Sequence, residues 1–228
     1  MCWPRRRQWQ VSGCSALRVL CLQDEIADHT LKMLRGAMAE CRMGNPGRLT
    51  TDIGPVIDSE AKANIERHIQ TMRSKGRQVF QAVRENSEDA REWQSGTFVA
   101  PTLIELDDFA ELQKEVFGPV LHVVRYNRNQ LPELIEQINA SGYGLTLGVH
   151  TRIDETIAQV TGSAHVGNLY VNRNMVGAVV GVQPFGGEGL SGTGPKAGGP
   201  LYLYRLLANR PESALDGDAR ASGCGVSG

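Results

Sequence analysis

The chain has 228 residues, of which 41% are hydrophobic and 21% are charged, and its formal net charge is −1. This length suits one large domain or a domain with an appendage, and the composition is ordinary for a globular protein. The balanced charge gives no basis for a nucleic-acid surface, and no apolar run reaches the roughly 18 residues of a membrane span. We therefore expect neither a nucleic-acid partner nor a membrane span in this chain.

Runs rich in β-branched and other apolar residues predict the strands. They lie at 17–22, 79–83, 98–106, 120–126, 145–150, 166–171 and 201–207. The third run contains Pro101, which cannot donate a ladder hydrogen bond, so this strand is expected at a sheet edge.

Apolar residues at about 3.6-residue spacing predict the helices, which lie at 24–42, 58–75, 130–140 and 154–161. Asp24 and Asp58 are the predicted N-cap residues of the first two, and Gly76 is the natural residue to end the second. Strands that alternate with helices of this length predict an α/β fold with a largely parallel sheet and flanking helices. Residues 172–200 are predicted to form a loop rich in glycine.

One cysteine stands where chemistry is possible. Cys14 follows Gly13 and precedes a β-type run, which places its sulfur at a turn that leads into a strand. A thiolate is a good nucleophile for a carbonyl carbon. A lone cysteine with apolar neighbours is more often a small core residue, so Cys14 alone does not decide between these two readings.

Three later stretches favour the nucleophile. They are Glu115–Val120 (Glu-Val-Phe-Gly-Pro-Val), Gly167–Asn172 (Gly-Asn-Leu-Tyr-Val-Asn) and Pro184–Gly187 (Pro-Phe-Gly-Gly). With Cys14 before them in this order, the chain resembles the aldehyde dehydrogenase superfamily from about Cys14 to about Ala214. The resemblance is greatest to the L-glutamate-γ-semialdehyde (1-pyrroline-5-carboxylate) dehydrogenase domain of bifunctional proline utilisation A proteins.

The resemblance implies a domain plan. Residues 14–200 would be a portion of the aldehyde dehydrogenase catalytic domain, and 201–208 a strand that joins a partner subunit in a homo-oligomer. Residues 1–13 are atypical of the family, and 209–228 are small, Gly-rich and expected to be disordered. The likeness stops abruptly at both ends, which suggests a gene fragment whose ends are read in a different frame.

The resemblance also implies roles for individual residues. Cys14 would attack the aldehyde and form a thiohemiacetal and then a thioester. Glu115 and Phe117 would hold the nicotinamide ribose of NAD. Four residues would contact the substrate: Ser15, Gly177 and Ala178 at its carboxylate, and Phe185 beside the aldehyde chain.

The implied activity is NAD-dependent oxidation of L-glutamate γ-semialdehyde, a small-molecule aldehyde, to L-glutamate in proline breakdown. An intact family member carries a dinucleotide-binding domain, an oxyanion-binding Asn and a general-base Glu before the nucleophile, and these have no counterpart here. We therefore expect this chain to be inactive alone. The alternatives are a non-catalytic fragment that only folds or associates, and another aldehyde dehydrogenase branch. Ser15 and the 177–178 pair argue against that branch, because they suit a substrate with a carboxylate.

Other patterns predict no site. Gly187–Gly192 spells Gly-x-Gly-x-x-Gly, but no predicted strand leads into it and Pro195 prevents a following helix, so no dinucleotide site is expected there. The five cysteines and five histidines show no metal-ligand spacing, and we expect no metal. Unpaired cysteines in an odd number favour free thiols in a reducing cytoplasm. His122 and His150 fall in predicted strands and are expected to be packed or hydrogen-bonded.

Overall fold

A computed structural model describes residues 13–82, 96–176, 182–192 and 194–207 of the chain. The predictions for Gly177 and Ala178, for residues 1–12 and for the tail from 208 onward lie outside these residues.

Strands and helices alternate along most of the chain. The strands are β1 (Val19–Gln23), β2 (Gln78–Gln81), β3 (Thr102–Leu106), β4 (Val120–Tyr126), β5 (Tyr143–Gly144), β6 (Thr146–Val149), β7 (Asn168–Val171) and β8 (Glu188–Gly189). The α-helices are α1 (Asp24–Glu40), α2 (Ser59–Ser74), α3 (Leu131–Ala140), α4 (Asp154–Ser163) and α5 (Tyr202–Leu206). Short 3₁₀ turns cover Phe109–Glu111 and Arg128–Gln130.

The main sheet has the strand order β1-β4-β3-β2. β4 runs parallel to both β1 and β3, while β2 runs antiparallel to β3, and a separate pair, β6 and β7, is also parallel. This confirms the predicted α/β fold with a parallel-rich sheet. Since β1 and β4 are parallel neighbours, the residues that precede them meet at the same edge of the sheet.

Helices cover both faces of this sheet. On one face α1 packs against a buried cluster of six residues: Leu22, Ala27, Leu31, Met38, Leu103 and Val123. On the other face α2 and α3 contribute to a larger cluster: Ile65, Ile69, Met72, Val99, Ile104, Leu106, Val120, Val124 and Leu134. Successive residues of β3 and β4 alternate between the two clusters, as strand geometry requires.

The ends of α2 are as the sequence predicts. The carboxylate of Asp58 accepts a 2.7 Å hydrogen bond from the amide of Ala61, and Gly76 follows the helix with φ +77°. The prediction for α1 was wrong by one position, because Gln23 occupies the N-cap and no side chain caps the helix. Asp24 and Glu25 lie in the first turn instead, where their charges complement the helix dipole.

Replacing Asp58 by alanine is expected to lower the free energy of unfolding by about 1 kcal/mol, because the Ala61 amide loses its partner. Urea denaturation followed by circular dichroism measures this change. Asp58→Asn keeps an acceptor at the same position and is the matched control. Equal losses in both variants would show that the carboxylate charge, not the capping bond, stabilises the helix.

Two other predictions were wrong. β3 is not an edge strand but lies between β2 and β4, because Pro101 immediately precedes it and the missing N–H falls outside the ladder. The carbonyl of Pro101 still accepts from Ala82 at 2.9 Å. The apolar run 201–207 forms the short helix α5 instead of a strand. No described strand pairs with it, and a helix satisfies the backbone polar groups locally.

Candidate active site

Cys14 lies in a tight turn. The amide of Ala16 donates to the carbonyl of Gly13 at 3.0 Å, and β1 begins three residues later. The Cys14 side chain is exposed, whereas Ser15 beside it is buried, at 7% exposure. Among the described residues the amide of Cys14 donates no hydrogen bond. The turn therefore presents a reachable sulfur next to a backbone donor.

The Glu115–Phe117 segment meets this turn because it precedes β4, the parallel neighbour of β1. The side chain of Glu115 is 35% exposed and Phe117 is 50% exposed. Gly118 follows with its Cα packed so close to Ile65 of α2 that a Cβ there would overlap that side chain. This contact fixes the segment where β4 begins.

Arg18 joins the two segments. Its Nε lies 3.5 Å from Oε1 of Glu115, and its Nη1 donates to the carbonyl of Val116 at 3.2 Å. Its Cζ lies 3.6 Å from the centre of the Phe117 ring, which is a cation–π contact. The Arg18 side chain is only 15% exposed. One guanidinium thus contacts three consecutive residues of the opposite segment.

The charge of Arg18 is set by two opposing effects. Burial lowers the pKa of Arg18 from its ordinary value. Three nearby groups oppose this shift by favouring the charged form: Glu115, Cys14 and Tyr143. Because an arginine starts from so high a pKa, it remains a cation beside the thiol.

A pair of histidines holds the backbone of Arg18. The amide of His122 donates to the Arg18 carbonyl at 2.9 Å, and Nδ1 of His122 lies 3.3 Å from the same oxygen. A carbonyl only accepts, so Nδ1 carries the proton and Nε2 accepts from Nε2 of His68, 2.9 Å away. This chain of bonds ties Arg18 to helix α2.

The predicted glycine-rich loop, residues 172–200, contains Phe185. Phe185 is half-buried, and its backbone exchanges hydrogen bonds of 3.0 and 2.8 Å with Ala197. Gly167 must be glycine because a Cβ there would overlap the carbonyl oxygen of Gly186. β8 of this loop pairs with β5 at Tyr143, the residue that acts electrostatically on Arg18.

The structure brings together the segments that carry Cys14, Ser15, Glu115 and Phe117, and it places Phe185 in the glycine-rich loop, paired with Ala197. Sequence reasoning missed Arg18. The available signal was a charged residue inside the predicted strand 17–22, four positions after the cysteine.

Cys21 differs from Cys14 in its surroundings. It lies in β1, and burial raises the pKa of its thiol to about 12. Cys21 is therefore a poor nucleophile, as a small core residue should be.

Within the described residues no three histidine, cysteine, aspartate or glutamate side chains cluster as metal ligands would. The helices of the same part of the chain are all too short or too polar to span a bilayer.

Known proteins similar to this chain belong to one family. A sequence model described as "Aldehyde dehydrogenase family" matches residues 10–208. The bifunctional protein PutA of Salmonella typhimurium is 92% identical over 203 residues, which are 89% of this chain and 15% of that protein. The 1-pyrroline-5-carboxylate dehydrogenase 1 of Halalkalibacterium halodurans is 38% identical over 192 residues, which are 83% of this chain and 36% of that protein.

Solved structures agree with these relatives. A crystal structure of Bradyrhizobium japonicum proline utilization A superposes with a TM-score of 0.77 at 48% identity, covering 86% of this chain and 19% of that one. The chain thus spans only a small part of the length of the bifunctional relatives it matches.

Proposed function

Because the chain belongs to the aldehyde dehydrogenase family, we propose that it carries the thiol part of a site that oxidises L-glutamate γ-semialdehyde to L-glutamate with NAD. The observation that carries this proposal is the exposed Cys14, which lies at the same sheet edge as Glu115 and Phe117. Relatives named 1-pyrroline-5-carboxylate dehydrogenase support the choice of substrate.

The exposed thiol and the adjacent backbone amide support the following thiol chemistry. The Cys14 thiolate adds to the aldehyde carbon, and the carbonyl electron pair moves to oxygen, which gives a thiohemiacetal anion. The unused amide of Cys14 is placed to donate to that oxygen. Loss of hydride from the carbon leaves a thioester on Cys14, which water hydrolyses to the carboxylate and the free thiol.

The residues opposite Cys14 suit a nicotinamide ribose. Glu115 offers a partly exposed carboxylate that can accept from ribose hydroxyls, and Phe117 is 50% exposed and so available for packing. Bound NAD would supply the hydride acceptor for the oxidation. We assign Glu115 and Phe117 to hold it.

We assign the substrate's own carboxylate to Ser15 with Gly177 and Ala178, and its aldehyde chain to Phe185. Backbone amides of small residues admit a carboxylate closely and favour its charge. Ser15 directly follows Cys14, so a carboxylate near it would belong to the molecule that the thiol attacks.

We propose that α5 is covered by another copy of the chain. Leu203 is 73% exposed, Leu206 is 65% exposed, and both belong to a run of exposed apolar residues. Such a surface is more typical of an interface than of a free monomer. We place the protein in the cytoplasm, since Cys14, Cys21 and Cys41 are free thiols.

The test of the proposed function is a single turnover at high chain concentration. The chain is mixed with NAD and L-glutamate γ-semialdehyde, and NADH absorbance is recorded. The mass of the tryptic peptide that contains Cys14 is then measured by mass spectrometry. We expect at most one equivalent of NADH per chain, with a hydroxylamine-labile acyl group on Cys14. Little further turnover should follow, in keeping with the expectation that the chain alone is inactive as a catalyst. The thioester should persist, because no general base is assigned beside the thiol to speed its hydrolysis by the usual factor of about 10²–10⁴.

Cys14→Ala is the control and should form neither NADH nor the acyl peptide. A second aldehyde, as long as L-glutamate γ-semialdehyde but without a carboxylate, tests which branch of the family the chain belongs to. We expect this aldehyde to react more slowly than L-glutamate γ-semialdehyde. If the wild-type chain forms neither product, the second candidate is favoured, a chain that folds or associates without catalysis. The observation that favours this second candidate is that the chain spans only 15% of the length of PutA from Salmonella typhimurium.

A further inference from the structure

We propose that Arg18 is the positioning residue of this site, which holds Glu115 and Phe117 beside the Cys14 turn in the arrangement that receives the nicotinamide ribose. This role deepens the proposed function and rests on it, because it assumes that Glu115 and Phe117 contact the cofactor. Arg18 itself is assigned no contact with substrate or cofactor.

The exposures of the three side chains support a layered arrangement. Arg18 is 15% exposed, whereas Glu115 is 35% and Phe117 is 50% exposed. The guanidinium therefore lies behind the two groups that face solvent. A ligand that enters from solvent would meet the carboxylate and the ring, and Arg18 would support both from within.

The shape of the guanidinium suits this task. Nε approaches the Glu115 carboxylate, Nη1 donates to the Val116 carbonyl, and the plane lies over the Phe117 ring. A lysine ammonium is a point charge on a flexible stem and cannot make these three contacts together. Arginine is therefore required for its geometry as well as its charge.

Arg18 is itself firmly anchored. Its carbonyl accepts from the His122 amide at 2.9 Å and lies 3.3 Å from Nδ1 of the same residue, on the buried strand β4. Its position is thus set by the sheet, and it transmits that position to the Glu115–Phe117 segment.

One nitrogen of the Arg18 guanidinium lowers the stability of the fold. Nη2 is buried and has no hydrogen-bond partner among the described residues. A buried donor without a partner destabilises a fold. The stability of the loop alone therefore does not account for an arginine here, whereas a role in shaping the site does.

The test compares the whole chain with its Arg18→Ala variant by two NMR measurements. Backbone ¹⁵N order parameters of residues 116–118 report how firmly the segment is held, and we expect them to fall toward about 0.6 in the variant. Saturation transfer from the chain to the ribose protons of NAD reports the site, and we expect it to be lost. Methylguanidinium in the buffer should restore both, which a merely structural defect would not allow.

Arg125→Ala is the matched control, since it removes an exposed guanidinium from the end of β4, away from the site. It should leave both measurements unchanged. Amide hydrogen exchange of Thr102–Leu106 in β3 checks that the fold persists. If β3 loses protection in Arg18→Ala, the Arg18→Lys variant is used in its place. We expect this milder variant to lower the order parameters at 116–118 and weaken the ribose signal.

The outcomes separate the two proposals. Unchanged order parameters at 116–118 overturn the role of Arg18. Ribose transfer that survives in Arg18→Ala but is lost in Glu115→Gln also overturns it, and leaves the proposed function intact. If the wild-type chain transfers no saturation to NAD, the cofactor assignment is wrong, and the order parameters then decide only whether Arg18 positions the segment.

Discussion

Iodoacetamide is expected to modify Cys14 at least about a hundredfold faster than Cys21 at about pH 8. The thiolate is the reacting form, and burial raises the pKa of Cys21 to about 12. At about pH 8 a thiol with that pKa is ionised in roughly one molecule in ten thousand. Cys21 also lies within β1, packed against the core on the α2 face, whereas the Cys14 side chain is exposed in its turn.

Peptide mass spectrometry measures the two rates together. Trypsin cleaves after Arg18, so the two thiols fall in separate peptides of the same digest. Repeating the reaction in concentrated guanidinium chloride is the control, because unfolding removes the burial of Cys21 and should make the rates similar. Similar rates in the native chain would contradict the assignment of Cys14 as the accessible nucleophile and Cys21 as a core residue.

The repeating features of the fold were predictable from sequence. Ile65, Ile69 and Met72 recur at helical spacing and are all buried on one face of α2. The position of each strand within the sheet could not be predicted from the sequence. Pro101 indicated an edge strand, but strand order depends on contacts distant in sequence, and β3 lies between two neighbours. The apolar pattern of 201–207 fits a strand as well as a helix, and only an available partner edge would decide.

The site residues were proposed from the family resemblance. The motifs that carry it name Cys14, Glu115 and Phe117, and the structure brings their segments together. Arg18 was not named, because its role comes from contacts 97 to 99 positions away, across two parallel strands. Among the histidines, His122 is buried and hydrogen-bonded as expected, but His150 lies just beyond β6 and is exposed.

His122, which is buried, and His68, which is half-buried, form a hydrogen-bonded pair that cannot readily accept a second proton. Burial is the main cause that lowers the pKa of His122 to about 4, and the neighbouring His68 adds to it. Burial and Lys75 also lower the pKa of His68. With one proton between the two Nε2 atoms the bond is satisfied, whereas a second proton would place two donors 2.9 Å apart. The neutral pair is therefore part of the native packing of α2 on β4.

The free energy of unfolding is expected to fall as the pH is lowered from about 6.5 to about 4. In this window the unfolded chain binds a proton at each histidine, while native His122 stays neutral until about pH 4. A shift of the pKa from 6.5 to about 4 corresponds to about 3 kcal/mol at His122, which is 2% exposed.

Urea denaturation across this pH range should show a slope of the unfolding free energy against pH in the wild type and a reduced slope in His122→Gln. His150→Gln changes an exposed ring and is the matched control, which should keep the wild-type slope. Because the measurement is a slope, a uniform loss of stability in His122→Gln would not obscure it, and equal slopes in all three chains would show that the pair does not couple protonation to folding.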